Sequence, residues 1–471
     1  MRRSVAKTVL CALLACPAGL CKDVTIHGFV TAVNSPTSFE IDNYRVTRDK
    51  TVTLDLNQQQ ADKPLATFRP EDIRVGTELE INGEYDESSG ELKAGSIKVF
   101  SYDTLSIKRT ALLEKMPSLT KDDSGWTGVV YADGQRISVS PATVVCLKPN
   151  HAERMSLRND GQSETMKFTP DSLNLDTFVH YEGTRESDGS VRAEKMEFQH
   201  AEVEKSEVIL WRRYYPRVRE PDYDAFRSGE LRLHWKNYKI VPNREAQEFI
   251  AQLGNSLIPA HQKSLADGDP LKIPFRFFLV EDKSFNAVTY PNGVVVVHSG
   301  VFDVLENEAQ LAFVLSHEIS HAVEKHAWQQ NEYYKTELIA LRVAGVAAPE
   351  GLLVGNLLAS GISSQYSRSL ESQADRVGLE WMLKAGYDIR QAPESWQAVS
   401  NAKGDSPANP FWASHDNATT RRSYLMAELR NNYSGLDYSN LREDSDEFHR
   451  VADLVKQFEN AKKTTRVKAG E

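Results

Sequence analysis

Two spacings of apolar residues divide the chain. From about residue 24 to 202 apolar positions alternate with polar ones, as in Glu78-Leu79-Glu80-Ile81 and Ser96-Ile97-Lys98-Val99. A period of two belongs to half-buried strands. Asp86-Glu87-Ser88-Ser89-Gly90 and Glu186-Ser187-Asp188-Gly189 carry turn chemistry and predict hairpins between them. Further on the spacing changes. Leu311, Val314, Leu315, Ile319, Ala322 and Val323 recur at three, four and seven, which predicts an amphipathic helix reaching about Gln329. Ahead of it, Val294 to Val297 is apolar and β-branched, and lies between Pro291-Asn292-Gly293 and Ser299-Gly300; it predicts a strand after a turn. Phe448, Val451, Leu454, Val455 and Phe458 predict one more amphipathic helix near the end, in a segment 436–471 with a frayed basic tail.

The strand-rich half repeats itself. Phe68-Arg69-Pro70-Glu71-Asp72-Ile73 returns as Phe168-Thr169-Pro170-Asp171-Ser172-Leu173, and Gly90-Glu91-Leu92-Lys93-Ala94 as Gly189-Ser190-Val191-Arg192-Ala193. Gly28-Phe29-Val30 is aligned with Gly128-Val129-Val130, giving a nearly constant register of about a hundred residues. The fold expected here is two tandem all-β, OB-like small barrels, over residues 24–102 and 124–202. The stretch before Ser124 and the charged stretch after Glu202 are expected to be linkers.

The first twenty residues are expected to be an export signal. Arg2, Arg3 and Lys7 precede a short apolar run from Thr8 to Cys16, and Pro17-Ala18-Gly19 follow. Leu13-Leu14-Ala15-Cys16 resembles a lipobox, which would lipidate Cys16 and tether the chain to a membrane; Pro17 argues against efficient processing, and both outcomes stay open. Only Cys21 and Cys146 remain after such a signal, enough for one disulfide and no framework. Leu338 to Ile362 is the other apolar stretch. Arg342, Pro349-Glu350, Gly351 and Gly355 interrupt it, so a helical pair that covers the site or packs on the core is expected there, not a membrane span.

OB-like barrels raise the question of nucleic acid, and charge answers it. Residues 24 to 100 hold thirteen acids against eight bases, and residues 124 to 202 twelve against eight. A phosphate-binding face needs the opposite balance. The whole chain carries −10, and loss of the three signal cations takes it to −13. No nucleic-acid partner is expected; the barrels are expected to meet protein or envelope components, or to space the rest of the chain from a surface, with their ligand unassigned.

Chemistry is concentrated at His317-Glu318-Ile319-Ser320-His321. Four residues turn a helix by about 400°, so both imidazoles leave one face, one turn apart, and can share a Zn²⁺. Glu318 sits beside the metal and can act as a base on its water. A catalytic zinc takes three protein ligands. The extended pattern H-E-x-x-H-x-x-G-x-x-H fails, since Glu324 stands at the Gly position and Ala327 at the third His. His326 is one residue out of register, about 100° round the helix, and is expected to be solvated. Glu371 is the better third ligand. It shares a helix face with Asp375, four residues on, whose carboxylate can accept the second ring N–H of a ligand His.

Three segments together resemble the zinc metallopeptidases typified by the bacterial HtpX and BepA proteins and the eukaryotic CAAX prenyl protease. They are the H-E-x-x-H helix, the Glu371-x-x-x-Asp375 helix with Ser367-Arg368 before it, and Asn286-Ala287-Val288-Thr289-Tyr290-Pro291-Asn292-Gly293 leading into Val294–Val297. The resemblance covers about residues 206–435. It implies an α+β, mainly helical zincin-type metallopeptidase domain, with Zn²⁺ on His317, His321 and Glu371, Glu318 as general base and Asp375 behind the ligands. It also implies that the strand near Asn286 and Ala287 aligns an extended substrate. A weaker match, Ser414-His415-Asp416 with Arg421 six residues after the His, implies that His415 approaches the metal or the oxyanion and that Arg421 braces it. Asp416 stands where the family often has Pro.

The expectation is an exported, periplasmic or envelope zinc metalloendopeptidase that acts on proteins or peptides in envelope quality control. The alternative is a non-catalytic zinc-binding chaperone or scaffold that binds through its barrels. A second rival is a zinc hydrolase of non-peptide amides.

Overall fold

A computed structural model describes residues 21–56, 68–101, 107–160, 166–186, 190–203, 205–330, 368–403 and 418–469. The leader with Cys16, the apolar stretch 338–362 and His415 lie outside the described residues.

The first sheet holds β1 (Cys21–Ser35), β2 (Ser38–Ile41), β3 (Tyr44–Arg48), β4 (Leu54–Leu56), β5 (Glu78–Asp86) and β6 (Glu91–Ser101). Its order is β3-β2-β1-β5-β6-β4, and a parallel β3–β6 pairing closes five strands into a barrel, with β4 attached outside on β6. The second sheet holds β7 (Ile107–Asp122), β8 (Gly125–Ala132), β9 (Gln135–Val139), β10 (Val144–Lys148), β11 (Thr177–Arg185) and β12 (Val191–His200). It repeats the first strand for strand, closed by a parallel β9–β12 pairing and flanked by β10. Matching 3-10 turns start at Pro70 and Pro170. Each interior is a buried, mainly apolar cluster of alternate residues: Val30, Phe39, Leu79, Ile81 and Val99 in the first, Val130, Ile137, Val179, Tyr181 and Phe198 in the second.

Three expectations need correcting. The stretch before Ser124 is not linker but β7, the long first strand of the second barrel. Its period of two is broken by bulges between Leu113 and Lys115 and between Lys115 and Ser118, which hides it in sequence. The hundred-residue register holds only from the 3-10 turn onward. Earlier, Tyr44 corresponds to Gln135, and Gly128 lies in β8, whose counterpart is β2 and not the strand of Gly28. The difference is absorbed by a longer connection after β10, which carries helix α1 (His151–Asn159). Nor is the charged stretch after Glu202 a bare linker: it forms α2 (Lys205–Arg213), with Glu207 and Leu210 buried. Cys21 and Cys146 sit in different barrels and are unbonded.

The helical domain wraps a third sheet of β13 (Arg217–Arg219), β14 (Gly229–Leu233), β15 (Lys236–Ile240), β16 (Arg276–Val280), β17 (Ala287–Thr289) and β18 (Val294–His298). The order is β13-β14-β15-β16-β18-β17, so β17 is an edge strand, hairpinned onto β18 through Pro291-Asn292-Gly293. Around it lie α3 (Arg244–Leu257), α4 (Ala260–Ser264), α5 (Glu308–Val323), α6 (Arg368–Lys384), α7 (Gln391–Lys403), α8 (Ala418–Asn432) and α9 (Asp446–Ala469). Asn307 caps α5 by accepting from Gln310 N.

The pattern in α5 predicts one buried face, yet all its residues are buried. A helix enclosed by α6, α7, α3 and β17 has no outside, so its polar residues must find partners indoors. Each of Leu311, Phe313, Leu315 and Ile319 contributes roughly 1.5–3 kcal/mol by leaving water. Gly378 lets α6 cross α5 closely, since a Cβ there would meet the His317 backbone at 3.1 Å. The last helix, α9, is integrated: Phe448, Val451 and Val455 join the same core as α3 and α5.

Both barrels dock on this domain. In the first, Phe29 N donates to Ser423 Oγ on α8 at 2.9 Å, and Asp42 pairs with Arg422 at 3.2 Å. In the second, the Asp133-Gly134 turn joins β8 to β9 with both φ values positive (62° and 64°), as an Asp-Gly hairpin of the primed type requires. That turn inserts Asp133 against Arg376 of α6.

Candidate metal centre

α5 delivers His317, Glu318 and His321, and α6 delivers Glu371 and Asp375, each set at helical spacing. The Nε2 atoms of His317 and His321 lie 2.9 Å apart. The Glu371 carboxylate faces both, with Oε2 3.5 Å from His317 Nε2 and Oε1 3.6 Å from His321 Nε2. One donor atom from each of these three residues falls within a 4.8 Å cluster, and all three are buried. Two imidazoles and one carboxylate form a donor set that suits zinc, with room for a further ligand. The three residues expected to bind the metal are thus brought together.

Asp375 takes the place expected of it. Its Oδ1 lies 3.0 Å from His317 Nδ1 and accepts that N–H when Nε2 faces a metal. Arg421, on α8, donates to Asp375 Oδ2 at 3.1 Å and stacks its guanidinium 3.8 Å over the Trp396 ring. It lies 3.7 Å from Glu371 Oε2. Arg421 therefore braces the carboxylates of Asp375 and Glu371, and the His415 it was expected to brace lies outside the described residues.

Charge accounts for the protonation state. Burial raises the Asp375 carboxyl, but Arg421 and His317 more than reverse this and hold it below the usual range. Burial and Arg421 also oppose protonation of His317, yet Asp375 and Glu371 outweigh them and push the metal-free imidazole up to about 9. A metal at Nε2 must displace that proton, so occupancy falls as the solution becomes acidic.

Glu318 is buried, and its Oε2 accepts from Thr289 N of β17 at 2.8 Å. The strand is thereby tied to the carboxylate expected to act as base. Asn286 directly precedes β17 and Ala287 begins it, so both lie on the edge beside α5.

One expectation fails here. His326 is not solvated: it is fully buried, and its Nδ1 lies 2.8 Å from His321 Nδ1. The helix does not run smoothly to Gln329. It ends at Val323 with Glu324 as its C-cap, Lys325 adopts φ 56°, and a new helical turn begins at His326. The left-handed residue swings His326 back toward the site, which uninterrupted helical geometry cannot foresee. Burial lowers its pKa to about 4, so it is neutral. Gln373 and Glu324 were also missed as members of this cluster. Their sole sequence signal is a polar side chain within a core-forming helix.

Comparison with known proteins agrees with this geometry. The family model described as Peptidase family M48 matches residues 250–429, and one described as Domain of unknown function (DUF5666) matches residues 27–98 of the first barrel. The putative beta-barrel assembly-enhancing protease of Vibrio cholerae is 31% identical over 182 residues, 36% of each chain. The beta-barrel assembly-enhancing protease of Escherichia coli K12 is 32% identical over 160 residues, 31% of each. The mitochondrial metalloendopeptidase OMA1 of Bos taurus is 28% identical over 234 residues, 46% of this chain and 43% of the relative. The chain spans about a third of the length of these bacterial relatives. Through residues 250–429, where α5, α6 and the His317-His321-Glu371 cluster lie, the chain is similar to peptidase family M48.

Proposed function

We propose that the protein is an exported zinc metalloendopeptidase. The observation that carries this is the buried convergence of His317, His321 and Glu371, with Glu318 next to the first of them. In this reading those three residues hold Zn²⁺. When bound, zinc would polarise a scissile carbonyl and lower the pKa of its water. Asp375 keeps the His317 proton on Nδ1, and Arg421 keeps Asp375 ionised. Glu318 takes the proton of the attacking water on its carboxylate and passes it to the leaving amine nitrogen. Thr289 N–H orients that carboxylate.

Substrate alignment is assigned to β17. His298 N donates to Asn286 O and Tyr290 N to Val294 O, so these residues bond toward β18. By alternation Ala287 directs both its backbone groups, and Thr289 its carbonyl, to the other edge, where an extended peptide can pair; the Thr289 N–H is taken by Glu318. Asn286 Oδ1 and Thr289 Oγ1 are buried there with no hydrogen bond among the described residues, which supports a polar ligand at this edge. His415 remains proposed as a group approaching the metal or the oxyanion.

The barrels are read as OB-like, supported by five closed strands with one parallel pair. The names of the bacterial relatives, which speak of enhancing beta-barrel assembly, support a protease working alongside such assembly; a periplasmic or envelope setting and quality control of envelope proteins are part of the proposal. No described helix is long and apolar enough to cross a membrane. Tethering through a lipidated Cys16 is part of the proposal.

The test is digestion of a generic unfolded protein. Internal cleavage that stops with a chelator and returns with stoichiometric zinc supports the reading. Zinc binding without cleavage of any polypeptide would favour the scaffold alternative.

A further inference from the structure

Behind His321 the buried polar groups form a line that ends on the second barrel. His321 Nδ1 meets His326 Nδ1 at 2.8 Å. His326 Nε2 meets Gln373 Oε1 at 3.2 Å. Gln373 Nε2 donates to the backbone carbonyl of Thr110, in β7, at 3.0 Å, and lies 3.4 Å from Glu324 Oε2. Leu112 N, two residues along the same strand, donates to Glu324 Oε2 at 3.0 Å and so holds β7 in register against the end of α5. His321, His326 and Gln373 are each at most 5% exposed.

The order of donors along this line follows from its far end. A carbonyl only accepts, so Thr110 turns the NH₂ of Gln373 toward the barrel and its oxygen toward His326. That oxygen also only accepts, so His326 carries its proton on Nε2 and leaves Nδ1 as a lone pair. The lone pair calls for a donor, so His321 holds its proton on Nδ1. Its Nε2 is then bare and faces Glu371, the tautomer that a metal ligand at this atom needs.

We propose that His326 and Gln373 are positioning residues through which the second barrel sets the tautomer and ring plane of His321. The barrel is on this account a structural part of the metal centre, and not only a spacer or a docking module. The assignment rests on the metal reading of the site, but not on proteolysis.

Two measurements on the full chain test it. In metal-free protein with ¹⁵N-labelled histidine, at mildly alkaline pH, long-range ¹H–¹⁵N spectra should show His326 protonated at Nε2 and His321 at Nδ1, each as a single tautomer. In Gln373→Leu, His321 should become a mixture, and zinc affinity by competition with a chelator should fall about 10–100-fold. A purely structural role for Gln373 would not change the tautomer. His326 protonated at Nδ1 in the unaltered protein would overturn the proposal, as would a folded Gln373→Leu protein with unchanged zinc affinity. If Gln373→Leu does not fold, the spectrum of the unaltered protein decides alone. Expected tautomers in a protein that cleaves nothing would refute the peptidase reading and leave this one standing.

Discussion

Replacing Asp133 by Asn should cost the protein about 3–5 kcal/mol. Asp133 is 0% exposed and Arg376 2% exposed. Arg376 Nη2 donates to both carboxylate oxygens, at 2.6 and 2.8 Å, and its Nε donates to the Asp133 carbonyl at 3.2 Å. Arg109 adds a contact at 3.1 Å and the Tyr181 hydroxyl one at 2.8 Å, so one carboxylate serves two guanidiniums. Burial alone would raise its pKa, but Arg376 and Arg109 hold it below the usual range. Asn keeps the size of the side chain and tolerates the positive φ of the turn, so the change removes charge and little else. Breaking a buried ion pair from one side leaves the other charge desolvated, which sets the figure of about 3–5 kcal/mol. The assay is urea denaturation at 25 °C followed by tryptophan fluorescence, comparing midpoints at equal slope. Asp133→Asn combined with Arg376→Met should recover part of the loss, because one of the two stranded guanidiniums is gone while Arg109 remains. A single variant within about 1 kcal/mol of the unaltered protein would refute the reasoning, since a surface pair is worth no more than that. It would mean that the second barrel is not sealed onto α6 as described.

Glu114, at the same interface, is pushed up to about 7 by burial first and then by Glu380, with Lys384 opposing. Its folded pKa exceeds the ordinary 4.5, so its contribution to stability is fully present below pH 4.5 and is lost as pH rises through 7. Glu114→Gln should therefore flatten the fall in thermal stability across that window; an unchanged pH slope would contradict the assignment. Gly28 faces α8, and a Cβ there would lie 2.8 Å from both Ile41 Cγ2 and Ser423 Oγ. Gly28→Ala should displace Ser423 from Phe29 N and cost about 1–3 kcal/mol in thermal unfolding, whereas a neutral change would show that the first barrel is not held there.

Local chemistry was legible in the sequence, and long-range closure was not. His317, His321, Glu371 and Asp375 could be placed because each pair lies four apart on one helix, a geometry the chain encodes locally. The strand Val294–His298 announced itself by β-branching between turn residues. The tandem repeat was visible through Pro70 and Pro170, yet its earlier half was misaligned, because the connection that carries α1 shifts the register and bulges in β7 hide its first strand. His326 was misread because a single positive φ at Lys325 cancels helical extrapolation. The contacts of Asp133 with Arg376 and of Gln373 with Thr110 join residues more than two hundred positions apart. Nothing in local pattern distinguishes these polar residues from solvated ones, and only the docked fold shows that they are buried.

The central claim is that a metal held by His317, His321 and Glu371 works with Glu318 to cut peptide bonds. The most direct measurement compares the unaltered protein with Glu318→Gln, each assayed for bound zinc and for cleavage of an unfolded protein. The account predicts equal zinc in both and cleavage only by the unaltered protein. A Glu318→Gln protein that cleaves at an undiminished rate would contradict it.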